Sequence, residues 1–120
     1  MPEQEAINRA ALDDLVATTG GDRAFLAELI DAYFEDSASL LPAMRQALSA
    51  GSAEQLRLAA HSLKSSSASL GADDLAGLCR ELEEQGRAGA LGDAAARVAQ
   101  VEAEYERVRR ALQAARPAAE

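Results

Sequence analysis

Aromatic side chains make up only 3% of this sequence, tryptophan is absent, and cysteine and histidine occur once each. Residues that strands prefer are therefore scarce, because β-branched side chains are sparse as well. A single cysteine excludes an internal disulfide, and the plain reading of Cys79 is a buried thiol. One histidine and one cysteine also fall short of the ligand set of a structural metal site, so no metal is expected. No apolar run approaches the roughly 20 residues of a membrane span. The amino terminus has no basic-then-apolar layout, so the cytoplasm is the expected compartment.

Basic residues are too few for a polyanion partner. Twelve Lys and Arg face 20 Asp and Glu, for a net charge of −8. Without a basic stripe such a chain is a poor match for nucleic acid or for an anionic membrane surface. A glycine-rich phosphate loop and Walker or kinase motifs are also missing, and no acidic cluster reads as a Mg²⁺ site. ATP binding is not expected.

What the 120 residues do contain is alanine, leucine and charge, with 48% apolar residues in all. Alanine is the strongest helix former, and the glycines fall mostly between periodic stretches. One all-α domain spanning residues 1–120 follows, with about ten residues at the amino end and 116–120 expected to fray. A short helix over 11–18 is stopped by Gly20 and Gly21. Asp22 caps a long one whose Leu26, Leu29, Ile30, Tyr33, Leu40, Leu41, Met44 and Leu48 follow helical spacing to Gly51. Pro42 within it predicts a kink or short break near Ala38. Ser52 to Gln55 reads as a capping box opening a third helix, which Gly71 stops in the left-handed conformation. Asp73 or Asp74 caps a fourth helix ending near Gly86, and residues 87–92 form a loop. From Asp93 a last helix carries the stripe Val98, Val101, Tyr105, Val108, Leu112. Short connections favour an antiparallel up-and-down four-helix bundle with a short additional amino-terminal helix.

The third helix carries the chemistry. At about 100° per residue, Leu56, Ala59, Leu63, Ser66 and Leu70 lie within roughly 40° of the pole opposite His61. Arg57, Lys64, Ser65 and Ala68 lie within about 60° of the histidine itself. The sole histidine thus sits at the centre of a solvent face, with two cations one turn away and small side chains around it. An exposed helical histidine is by itself a common surface residue. Phosphoryl transfer, however, needs an exposed nucleophile that is neutral near pH 7, and imidazole suits it. Nearby cations offset the incoming charge, and small neighbours let a partner approach. The serines at 65, 66, 67 and 69 lack a base and acid arrangement, so a nucleophilic hydroxyl is not indicated.

Residues 61–72, HSLKSSSASLGA, resemble the signature His-x-Leu-Lys-Gly-Ser-Ser-x-x-Leu-Gly of histidine-containing phosphotransfer (HPt) domains. Leu58-Ala59-Ala60 before it and residues 75–84 after it are similar to the family too, so the resemblance spans about residues 25–105. One departure stands out: Ser65 occupies the position of the family's glycine, one turn after the histidine.

The resemblance implies a phosphocarrier with His61 as phospho-acceptor, and not an autonomous enzyme. Lys64 would support the phosphoryl charge. Glu83 would match a Glu or Gln of the next helix that bonds the imidazole; on its wheel it flanks the stripe Leu75, Leu78, Leu82 by roughly 90°. Arg57, Leu58, Ser65 and Ala68 are candidates for partner docking. The implied partners are response-regulator receiver domains, with a hybrid histidine kinase as a further one, and Mg²⁺ would come with the receiver. A monomer is expected, with no cofactor of its own. Two other readings stay open: a non-catalytic helical adaptor, and a phospho-acceptor domain of a chemotaxis-type kinase.

Overall fold

The computed structural model describes residues 6–117, and among them all regular structure is helical. The helices are α1 (Arg9–Thr18), α2 (Arg23–Ala50), α3 (Ala53–Ser69), α4 (Asp73–Arg87) and α5 (Ala94–Ala115). Each of α2 to α5 packs on its chain neighbours, α5 closes back on α2, and α1 lies against α2. The expected four-helix bundle with an extra amino-terminal helix is present. Gly51 and Ser52 alone join α2 to α3, and residues 70–72 join α3 to α4, which forces antiparallel neighbours.

The core follows the apolar periods. Ile30 and Met44 of α2, Leu56 and Leu63 of α3, Leu75 and Leu82 of α4, and Val98, Val101, Val108 and Leu112 of α5 are fully buried. Tyr33 stacks obliquely on Tyr105, with ring centroids 5.9 Å apart, and its hydroxyl meets Ser67 Oγ at 2.8 Å. Burial satisfies the tyrosine's apolar ring while the hydroxyl keeps a partner. Cys79 is a buried free thiol whose pKa burial raises to about 12, so it is protonated and inert.

Several local expectations need correction. α2 runs unbroken through Pro42, with no break near Ala38. Ala38, whose carbonyl the proline leaves without its helical donor, is an exposed residue. The capping box is half formed: Ser52 Oγ accepts from the Gln55 amide at 3.1 Å. The Ser52 amide is already spent on Ala47 O at 2.9 Å, where left-handed Gly51 closes α2. Neither Asp73 nor Asp74 caps α4; both lie in its first turn, after a buried Ala72 without side-chain capping. There they face the positive end of the helix dipole.

The ends are better packed than their composition implies. Ala6 and Ile7 are buried, Asn8 Oδ1 caps α1, and the Asn8 amide donates to Gly71 O at 2.7 Å. Pro117 is buried and Arg116 pairs with Asp31 at 2.7 Å. Residues 1–5 and 118–120 lie outside the described residues. Gly71 has a φ of 81°, and a Cβ there would stand 2.8 Å from Asn8 O, so both the turn and the amino-terminal contact require glycine.

Candidate functional site

Two helix faces meet at the site. Leu56, Ala59, Leu63 and Leu70 hold α3 against the core, and this fixes His61 on the opposite, solvent side. Ser66 is only half-buried, and Ser67 takes the core position instead. The hydroxyl of Tyr33 explains this, because it supplies a buried partner at residue 67. α4 approaches α3 closely at Gly86, where a Cβ would lie 2.9 Å from Ala53 O and 3.0 Å from both Arg57 N and Arg57 Cβ. One turn earlier on α4, Glu83 is brought beneath the histidine.

Glu83 is 5% exposed at its side chain, and three donors converge on it. His61 Nδ1 lies 3.0 Å from Oε2, Lys64 Nζ 2.7 Å from Oε1, and an Arg87 guanidinium nitrogen 3.2 Å from Oε2. A buried carboxylate is tolerable only with such partners. The hydrogen bond from Lys64 holds the Glu83 carboxyl below its ordinary value of 4.5, His61's bond and the charges of both residues add to this, and burial opposes it. An ionised carboxylate only accepts, so Nδ1 is the protonated ring nitrogen and Nε2 keeps the lone pair. The imidazole side chain remains 55% exposed.

Because the folded pKa of Glu83 is the depressed one, its contacts stabilise the protein at neutral pH and lose that contribution as the pH falls through the folded value. The stability deficit of Glu83→Gln is therefore expected to be full above pH 4.5 and to shrink below it. Denaturant unfolding of both proteins across pH measures this, and a deficit independent of pH would contradict an ionised Glu83.

His61, Lys64 and Glu83 are thus brought together. Arg57 sits beside them, but its guanidinium is held by Glu54 at 2.6 and 3.0 Å. Leu58 is 51% exposed, and Ser65 and Ala68 are exposed beside the histidine. Arg87 was not among the residues the sequence singled out. It bridges Glu83 and Glu84, because α4 runs through Gly86 to Arg87 where a loop was expected to begin. The signal was present as a Glu and an Arg four residues apart, a spacing that pairs on a helix.

The family model for the Hpt domain matches residues 28–111. The chain belongs to the Hpt domain family. The crystal structure of histidine-containing phosphotransfer protein B (HptB) from Pseudomonas aeruginosa PAO1 is similar, with 35% identity, a TM-score of 0.87, and 95% of this chain and 96% of that one covered. No curated protein sequence matches. Membership establishes the coarse function of this Hpt domain as histidine phosphotransfer within phosphorelays. Among the described residues, no helix is long and apolar enough to cross a membrane.

Proposed function

We propose that this Hpt domain carries a phosphoryl group on His61 Nε2 and passes it between aspartates of response-regulator receiver domains. The observation that carries this reading is the pairing of His61 Nδ1 with Glu83 at 3.0 Å beneath a largely exposed ring. Nε2 attacks the phosphorus of an aspartyl phosphate, the Nε2–P bond forms, the P–O bond breaks and the aspartate leaves as a carboxylate. The ring gains positive charge while its Nδ1–H stays on Glu83, whose anion offsets that charge. Delivery to the next aspartate is the same step in reverse.

This domain contributes a positioned nucleophile and a docking face around Arg57, Leu58, Ser65 and Ala68. The receiver contributes Mg²⁺, so the domain acts as a carrier with no ATP or metal site of its own. It works as a cytoplasmic monomer, with receivers and a hybrid histidine kinase as its partners. Incubation with phosphorylated receiver domains tests the reading: label that is acid-labile and base-stable is expected on this chain. A chain that takes no label from any receiver would be an adaptor.

Lys64 holds Glu83 and stands one turn from the acceptor. Glu83 is buried but keeps His61 and Arg87 when this donor is lost, so Lys64→Ala is expected to slow transfer partially, by roughly severalfold. Helix content stays unchanged by circular dichroism. Identical transfer kinetics for both proteins across a salt series would remove Lys64 from the site.

A further inference from the structure

The donors flanking His61 on α3 and α4 are nearly all engaged. Lys64 and Arg87 bond Glu83, Arg87 also bonds Glu84, and Arg57 bonds Glu54. The hydroxyls of α3 are mostly occupied too. Ser66 and Ser69 each donate to a carbonyl four residues back at 3.1 Å, and Ser67 is buried against Tyr33. Ser65 is the exception beside the histidine: it is exposed, and among the described residues its Oγ has no partner. Ser62 shares that freedom but lies about 100° round the helix from His61, against about 40° for Ser65.

Residues four apart on a helix have Cβ atoms roughly 5–6 Å from one another, and helical side chains lean toward the amino end. The Cα–Cβ bond of Ser65 therefore tilts toward the imidazole from the carboxy-terminal side, which puts its hydroxyl within reach of that side of the ring. The ring is anchored through Nδ1, which leaves Nε2 directed away from Glu83 and outward. A phosphoryl group on Nε2 places three acceptor oxygens in this space, where the free Ser65 hydroxyl is a donor one turn away on the same helix. Arg80 of α4, exposed in the groove it lines with Lys64 and Ser65, is the other donor there without a partner among the described residues.

We propose that Ser65 is a phosphoryl-binding residue, its Oγ–H donating to an oxygen of the group carried on His61 Nε2. This rests on the reading of His61 as carrier. The serine that replaces the family's glycine is then an added donor in a site where Lys64, Arg87 and Arg57 are held by carboxylates. Simple obstruction by the hydroxymethyl group gives the reverse ranking of variants.

Phosphoramidate as donor, with no partner protein, separates this contact from docking: its P–N bond breaks, ammonia leaves and the Nε2–P bond forms. Ser65→Ala and Ser65→Gly are both expected to label on the order of threefold to tenfold more slowly than the unchanged chain, the net worth of one ordinary hydrogen bond at a solvent-exposed position. Ser65→Thr, which keeps a hydroxyl, stays within a factor of about two. Alanine and glycine stand at opposite ends of helix propensity, so a slowing common to both does not arise from the helix. Labelling of the alanine and glycine variants at or above the normal rate overturns the proposal, as does a threonine variant as slow as alanine. An unchanged chain that takes no label overturns the carrier reading itself, a result distinct from either.

Discussion

Replacing His61 by glutamine is expected to eliminate acid-labile, base-stable labelling from a phosphorylated receiver, with no measurable residue of activity. The amide nitrogen of glutamine has a delocalised lone pair and is no nucleophile, so nothing at this position can take the phosphoryl group. The fold should be indifferent to the change. The imidazole is more than half exposed, and the core contacts of α3 come from Leu56, Ala59 and Leu63 on the other side. The glutamine amide retains a donor for Glu83, which also keeps Lys64 and Arg87. A change in stability within about 0.5 kcal/mol is expected from thermal or denaturant unfolding. Undiminished labelling in a folded His61→Gln protein would place the phosphoryl group on another residue and end the present reading.

That a histidine would stand alone on a solvent face was legible because α3 is strongly periodic. Fully buried leucines at 56 and 63 fix the face, and position 61 follows from them. Glu83 was legible as an edge residue of α4, but its burial was not. Nothing in a helical wheel says that a carboxylate flanking an apolar stripe will be covered; the close approach at Gly86 covers it. Arg87 was lost for the same reason. A glycine after a periodic run reads as a stop, whereas here it is an interior residue that permits contact between α3 and α4.

Other differences arise where one backbone group has two possible partners. The Ser52 amide is claimed by the end of α2 before the capping box can use it. The face assignment of Ser66 and Ser67 turns on the Tyr33 hydroxyl, which is 34 residues away in the chain. Pairings between distant segments also hold Asn8 on Gly71 and Arg116 on Asp31, and local composition carries no sign of either. The helices were thus readable from local periodicity, and the contacts that complete the site were decided by tertiary packing.

The close approach of α3 and α4 leads to the other large expected effect. Gly86→Val puts a branched side chain where even a Cβ would lie 2.9 Å from Ala53 O and 3.0 Å from Arg57 N, both of them backbone atoms of α3. A backbone cannot swing aside as a flexible side chain does, so α4 must move outward. Valine is a somewhat better helix former than glycine, and any loss of stability therefore comes from the clash between helices. Overpacking of this kind costs about 1–3 kcal/mol. Glu83 lies one turn before Gly86, and His61 one turn after Arg57, so the same displacement stretches the 3.0 Å contact between Nδ1 and Oε2. Melting temperature and labelling rate should fall together. Gly77, also on α4, is the control: a Cβ there meets nothing within 4 Å, so Gly77→Ala should stabilise the protein by roughly 0.5–1 kcal/mol. A Gly86→Val protein that melts and labels like the unchanged chain would show that the site does not depend on the close crossing of α3 and α4.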